Sequence, residues 1–183
     1  MKKTTLISTF TLAFLMLFTI DANAQKFPGL DKSPMDAASY PSNYKNSDKL
    51  IKIIYSRPQL KDRKLEKLAP LDEVWRTGAN EGPELTLYKP LYFGNTKIEA
   101  GAYTFYLIPG EGEWTAVISK DLNVWGSYFY DKSNDVARLS VKPSQADDKI
   151  ESFSIVFEED ADFVVMHIGW EHTRLNIPFY QKF

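Results

Sequence analysis

The chain has no cysteine among its 183 residues, and it carries no recognisable catalytic motif. Without cysteine it can form neither a disulfide bond nor a thiolate nucleophile, so a folded domain must be stable by packing alone. The sequence also lacks a GxSxG elbow, an HExxH helix and a P-loop. Gly110-Glu111-Gly112 lacks the third glycine and the following helix of a dinucleotide-binding loop. These patterns predict no catalytic residue and no cofactor.

The N-terminus has the three parts of a secretory signal peptide. Lys2 and Lys3 are positively charged, the apolar run Leu6–Ile20 follows, and Ala22-Asn23-Ala24 is a small-residue cleavage signal. A helix needs ~20 apolar residues to cross a bilayer, and this run is shorter. We therefore expect residues 1–24 to be removed and the rest of the chain to be periplasmic or secreted, with no membrane span. No cysteine follows that could accept a lipid anchor.

The remaining chain, residues 25–183, has little excess charge. Without the charged residues of the signal, the 22 basic and 24 acidic residues become 20 and 23, a formal charge of −3. Nucleic acid is therefore not expected as a partner, because neutralising phosphates needs a basic face or arm. The length suits one domain with a sizeable core.

Two regions follow the signal. Residues 25–49 are rich in Pro, Ser, Asn and Asp without a sustained period, which predicts an extended N-terminal segment. Residues 50–183 alternate short aromatic and β-branched runs with turn residues, which predicts strands. One short helix is predicted at Lys61–Ala69, ended by Pro70. The predicted strands are Leu50–Ser56, Leu85–Tyr88, Tyr103–Ile108, Trp114–Ser119, Ala137–Lys142, Ser152–Phe157, Phe163–Trp170 and Arg174–Phe179.

The period of these runs predicts an all-β fold. Phe153, Ile155 and Phe157 alternate with serines, as in a strand that is buried on one face. Pro109–Glu113 has the composition of a hairpin connection. No βαβ rhythm or internal repeat is present, so we expect a single-domain antiparallel β-sandwich, with a closed barrel as the alternative.

Two stretches partly resemble metal sites. His167 and His172 flank Glu171, but the apolar residues Val164, Met166, Ile168 and Trp170 turn His167 outward on its strand, and His172 is expected in the turn before Arg174. The stretch that begins at Asp131 starts like a calcium loop, but valine and lysine stand where glycine and a bidentate glutamate are needed. No metal site is predicted; the second stretch is interpreted as a polar turn that enters a strand.

The stretch from Val74 to Leu85, VWRTGANEGPEL, is the candidate site. Glycine and asparagine in its centre can take left-handed backbone angles, so the chain is expected to reverse there and to bring Arg76 near Glu81. One interpretation is architectural: an Arg76–Glu81 ion pair above a Trp75 that belongs to the core. The other is a ligand site in which Arg76, Asn80 and Glu81 form a polar rim over the Trp75 ring, as in sugar or carboxylate recognition. Arg57, with Lys61 and Arg63, either extends that rim into an anion-accepting patch or forms a solvated charged face.

Several stretches together resemble the domain-of-unknown-function family 2911 of exported bacterial proteins. They occur in the family order and cover most of residues 25–183: SPMDAASYP, YSRPQLKDR, VWRTGANE, IEAGAYTFYLIPG, EWTAVISK, WGSYFY and DVARLSV. The chain departs from the usual family pattern before the tryptophan-arginine pair and after Asn80. The resemblance implies a secreted or periplasmic β-sandwich, and it marks Trp75, Arg76, Gly78, Ala79 and Asn80 as the family signature.

The leading functional prediction is a non-catalytic binding module for a glycan, a peptide or an envelope partner. Its predicted ligand-binding residues are Trp75, Arg76, Asn80, Glu81 and Arg57. The first alternative is a glycan hydrolase in which Glu81 and a second carboxylate, such as Glu84, Asp72 or Glu113, act as acid and base. The second alternative is a purely structural envelope component.

Overall fold

The structure, a computed structural model, describes residues 25–181. The predicted signal peptide, residues 1–24, lies outside the described residues. Within the described part the chain forms ten strands, one α-helix of a single turn and one 3-10 turn. The strands are β1 Met35–Tyr40, β2 Ile51–Ser56, β3 Glu84–Leu87, β4 Leu91–Phe93, β5 Thr96–Ile98, β6 Gly101–Ile108, β7 Trp114–Ser119, β8 Asp135–Val141, β9 Ser144–Asp160 and β10 Phe163–Tyr180. The helix α1 is Leu65–Leu68, and the 3-10 turn is Lys132–Asn134.

Two antiparallel sheets form the fold. The six-stranded sheet has the order β1-β2-β3-β6-β7-β8, and the four-stranded sheet has the order β5-β4-β10-β9. The predicted all-β sandwich is therefore confirmed. The chain divides into two compact units, Met1–Leu30 and Asp31–Phe183, and all ten strands belong to the second. The described residues of the first unit, 25–30, contain no helix or strand. No helix in the described part is long and apolar enough to cross a membrane.

The core lies between the sheets and follows the predicted alternation. Phe153, Ile155 and Phe157 of β9 are buried, and so are all four apolar residues that were predicted to share a face of β10. Phe105 and Leu107 of β6 face the same core. Burying one such side chain stabilises a fold by about 1.5–3 kcal/mol, so this alternation supplies much of the stability that a chain without disulfides needs.

The last two strands differ from the prediction. β10 is one long strand, not two strands with His172 in a turn between them, so that expectation was wrong. The pairing of β10 with β9 shifts register on both sides of Glu171, whose φ is +52°. Such bulges insert extra residues into a strand without ending it. Polar residues around a bulge therefore resemble a turn in sequence.

Three strands, β1, β4 and β5, were not predicted, and the helix is shorter than predicted. β1 lies within the segment predicted to be an extended lead-in and pairs with β2 as an edge strand, where polar and small residues are tolerated. β4 and β5 have three residues each, too few to show a period. The helix begins only at Leu65 because Lys61 and Asp62 take positive φ angles of 48° and 60°.

Candidate functional site

The segment that carries Trp75 leaves the six-stranded sheet beside β6. The main-chain N–H of Trp75 donates to the Leu107 carbonyl at 2.8 Å, and the Leu107 N–H donates back at 3.1 Å. The chain then turns through positive φ angles at Thr77 (50°), Gly78 (151°) and Asn80 (61°). Glycine is needed at the second position, since a Cβ there would lie 2.9 Å from the Ser56 carbonyl oxygen. The reversal predicted for this stretch is present.

Thr77 is the unexpected member of the turn. A β-branched residue rarely takes a left-handed angle, and this one is completely buried. Its hydroxyl donates to the Trp75 carbonyl at 3.3 Å. Strained backbone of this kind clusters at binding sites, where it holds neighbouring side chains in place.

Trp75 belongs to the core and packs against a second tryptophan. Its ring stacks on Trp170 of β10 with centroids 5.6 Å apart and planes 12° apart, and it makes a T-shaped contact with Phe153 whose centroids are 5.2 Å apart. The indole N–H of Trp170 donates to the Glu151 carbonyl at 3.1 Å. That of Trp75 has no hydrogen-bond partner among the described residues. Trp170 was not among the predicted site residues, because nothing in the sequence places it beside Trp75.

A pocket of about 390 Å³ opens beside this tryptophan pair; we call it the Trp75 pocket. Its size falls within the range of small-ligand sites. Four signature residues contribute to its wall. The described residues that line it are Ser33, Pro58, Arg63, Leu68, Pro70, Glu73, Val74, Trp75, Arg76, Gly78, Ala79, Ser127, Tyr128 and Trp170.

Arg76 lines the pocket without a polar partner. Its guanidinium makes no hydrogen bond or ion pair with any described residue. It lies against Gly126, where an added Cβ would come within 3.1 Å of its Nη1 atom. Arg63, the other arginine of the pocket, donates from Nε and Nη2 to the carbonyls of Leu60 (2.9 Å) and Gln59 (2.7 Å), but to no carboxylate.

The predicted ion pair between Arg76 and Glu81 does not form, so the architectural interpretation was wrong on this point. Main-chain pairing explains the difference: Glu81 forms a bridge with Trp125, and the next N–H, of Gly82, donates to the Val124 carbonyl at 3.0 Å. These bonds draw Glu81 to the loop after β7. Its side chain is exposed and does not line the Trp75 pocket.

Asn80 is not among the residues that line the pocket. The Asp31 carboxylate accepts the Ser33 N–H at 2.7 Å. This hydrogen bond first, and the Asn80 side chain second, lower the pKa of Asp31.

Arg57 lies in a different place and is fully engaged. Its Nε donates to the Phe153 carbonyl at 3.0 Å, one Nη to the Ser154 hydroxyl at 2.8 Å, and the other Nη to Asp36 at 2.9 Å. Beside it, the Tyr55 hydroxyl accepts the Ile155 N–H at 2.9 Å. These groups line a separate depression between β1 and β9 and tie the two sheets together. We call Tyr55 and Arg57, with their partners, the sheet clamp.

The loop between β7 and the 3-10 turn, residues 120–131, covers the outer face of the six-stranded sheet. Tyr106 points to that face and is completely buried, in a T-shaped contact with Tyr130 whose ring centroids are 5.2 Å apart. The Tyr130 hydroxyl donates to Asp135 at 2.7 Å, and Arg138 donates to the same carboxylate oxygen at 2.6 Å. Burial raises the pKa of both tyrosines to about 12. The Tyr106 hydroxyl has no partner among the described residues.

The histidines make local hydrogen bonds. Nδ1 of His167 is 2.8 Å from the Asn176 amide oxygen, and Nδ1 of His172 is 2.9 Å from the Ala146 carbonyl. Asp131 accepts the Ser133 N–H and caps the 3-10 turn that leads into β8, as the polar turn was expected to do. The described residues contain no group of three or more His, Asp or Glu side chains that could hold a metal ion.

The fold and this site define a β-sandwich domain with an open pocket whose wall is polar and aromatic. The chain belongs to a family of proteins of unknown function, DUF2911, whose family model matches residues 33–179. All residues that line the Trp75 pocket fall within that match. Neither the curated proteins nor the solved structures contain a significant match to the chain.

Proposed function

We propose that this protein is an exported binding module that holds an anionic group in the Trp75 pocket. The observation that carries the proposal is the guanidinium of Arg76, which lines the pocket and has no partner among the described residues. The ligand can be a glycan, a peptide or an envelope component, provided that it presents a carboxylate or a phosphate.

The charge balance of the pocket favours an anion. Among the described residues, two arginines line it and Glu73 is the single acidic residue of the wall. A guanidinium presents N–H groups in a planar fork that matches the two oxygens of a carboxylate or phosphate. Trp75, whose indole N–H has no hydrogen-bond partner among the described residues, lines the same wall.

The pocket is also held in shape before any ligand arrives. Trp75 is bonded to β6 through its main chain and stacked on Trp170, and Gly126 leaves room for Arg76 beside the loop. A preformed site loses less conformational entropy on binding, which favours affinity. Export, which this proposal includes, rests on the signal-like residues 1–24 of the sequence.

Hydrolysis by paired carboxylates has less support. Such chemistry needs two carboxyl groups on either side of the bond that breaks. Glu73 is the only carboxylate among the described residues that line the pocket, and Glu81, the predicted acid or base, is not in its wall. The hydrolase and the purely structural role stay predictions of the sequence.

The experiment is a thermal-shift titration with inorganic phosphate and with citrate, on the parent and on Arg76→Ala. A ligand at ten times its Kd stabilises the folded state by about 1.4 kcal/mol, which raises the midpoint by about 3–5 °C. We expect that rise in the parent and not in Arg76→Ala. The control is Lys142→Ala, which removes an exposed positive charge that does not line the pocket. An equal shift in all three proteins, or none in the parent, would contradict the proposal.

A further inference from the structure

We infer that the anionic ligand of the Trp75 pocket is an acidic saccharide. In this arrangement the sugar's acid group meets Arg76, and its ring lies against Tyr128. The inference rests on the proposed function and adds the chemical class of the ligand.

Tyr128 stands next to Arg76 at the rim of the pocket. A Cβ added to Gly126 would lie 3.1 Å from the Arg76 Nη1 atom and 3.1 Å from the edge of the Tyr128 ring, so the two side chains flank one Cα. Gly126 has a φ of +67°. Glycine at this position therefore lets an arginine fork and an aromatic ring share one edge of the pocket. Tyr128 is 75% exposed, which leaves its ring available to a ligand.

The same loop carries two further exposed rings, which are not among the residues that line the pocket. Trp125 is 55% exposed and Phe129 is 80% exposed. They are not on a loose segment, since Trp125 is paired with Glu81 and Val124 accepts the Gly82 N–H. Large aromatic side chains that are fixed in an exposed position commonly mark an interaction surface. A saccharide longer than one unit would extend from the pocket along them.

A pyranose acid offers the two kinds of surface that this site would contact. Its ring has an apolar C–H face, which packs on aromatic rings, and its edge carries hydroxyls and the acid. Ser33 and Ser127, whose hydroxyl groups can donate and accept, line the pocket and can serve that edge. An acidic peptide has the charge for Arg76 but lacks a rigid C–H face for the ring of Tyr128.

The test is a binding titration by calorimetry with three probes. Trigalacturonic acid is the acidic saccharide, its methyl ester is the same saccharide without charge, and end-blocked triglutamate is a peptide of equal charge. We expect trigalacturonic acid to bind about tenfold or more tightly than either of the others, because only it satisfies both the fork and the ring. A sialylated and a phosphorylated oligosaccharide distinguish the source of the acid group.

Variants assign the effect to the two side chains. Arg76→Ala should weaken saccharide binding by about tenfold or more, and Tyr128→Ala by about threefold to tenfold, whereas Tyr128→Phe should keep it because the ring remains. Tyr44→Ala removes another exposed tyrosine, 88% exposed and outside the pocket, and should have no effect.

The outcomes separate this inference from the proposed function. If triglutamate binds as tightly as the acidic saccharides and depends on Arg76, the module binds anions but the saccharide inference is overturned. If the neutral ester binds as well as the acid, the role of Arg76 is overturned. If none of the acidic saccharides binds while phosphate or citrate does, the saccharide inference fails alone; if no anion binds, both fail.

Discussion

Two arginines of this chain show how differently the same side chain is used in the sheet clamp and in the Trp75 pocket. Arg57 donates to a main-chain carbonyl, a hydroxyl and a carboxylate and so joins β9 to β1. Arg76 donates to no described residue. Both lie in stretches that carry the family resemblance, YSRPQLKDR and VWRTGANE, and both were predicted to bind a ligand. The difference in partners separates a group that stabilises the fold from one that is available to a ligand.

Tyr55 and Tyr106 show the same contrast between a side chain that has a hydrogen-bond partner and one that has none. The Tyr55 hydroxyl, in the clamp, accepts the Ile155 N–H. The Tyr106 hydroxyl, under the loop beside the pocket, is buried without a partner. A paired buried hydroxyl stabilises a fold modestly, whereas an unpaired one destabilises it. Substitutions in the sheet clamp should therefore lower stability, whereas substitutions in the Trp75 pocket should lower binding and leave stability nearly unchanged.

The largest expected change in stability is that of Arg57→Ala. This substitution removes the Arg57 donor of the Phe153 carbonyl and the ion-pair partner of Asp36, so we expect a loss of about 2–3 kcal/mol in the free energy of unfolding. Denaturant unfolding followed by tryptophan fluorescence measures it. Arg57→Lys should recover little, because an ammonium group cannot reach three partners as the fork does. A loss below about 0.5 kcal/mol would remove Arg57 from the clamp.

The tyrosine pair should show a smaller but opposite difference. Tyr55→Phe takes the acceptor from the Ile155 N–H and should cost about 1–2 kcal/mol. Tyr106→Phe removes an unpartnered buried hydroxyl and should leave stability unchanged or raise it. The two variants are matched controls in one unfolding experiment. Equal losses in both would mean that Tyr106 has a partner after all.

The third prediction concerns alkaline pH. Burial raises the pKa of Tyr106 to about 12, above the value of about 10 in an unfolded chain. The folded state holds the proton of Tyr106 more tightly than the unfolded chain does. Below pH 10 both states keep this proton, so stability is unaffected; as the pH rises towards 12 the unfolded chain ionises first, and the folded state loses stability. We expect the parent to lose about 1 kcal/mol more than Tyr106→Phe over that interval. Parallel unfolding curves at all pH values would contradict it.

The smallest expected change in stability is that of Arg76→Ala. Its guanidinium has no partner to lose, so the free energy of unfolding should change by less than about 0.5 kcal/mol. Ligand binding should nevertheless be lost. Unfolding in denaturant and anion titration on the same protein preparation measure both quantities. A loss of several kcal/mol would assign Arg76 to the fold instead of the pocket.

The sequence was sufficient for the sandwich because burial follows the strand period, as at Phe153, Ile155 and Phe157. The family resemblance and the reversal at Gly78 and Asn80 were also predicted correctly. The short strands β4 and β5 and the bulges around Glu171 could not be, since they depend on pairing with distant residues. The sequence likewise marked Trp75 and Arg76 but could not place Trp170 and Tyr128 beside them. The sequence does not distinguish Arg57 from Arg76, because the two differ in whether they have hydrogen-bond partners in the fold and not in their neighbours along the chain.

The most direct test of the account is to follow the side-chain Nε–Hε resonances of the arginines by NMR during a titration with inorganic phosphate. Arg57→Lys and Arg76→Lys assign the two signals of interest. We predict that the Arg76 signal moves and saturates while the Arg57 signal stays in place, because only Arg76 is free to meet an anion. An unmoved Arg76 signal, or equal movement of both, would contradict the assignment of one arginine to the ligand and the other to the fold.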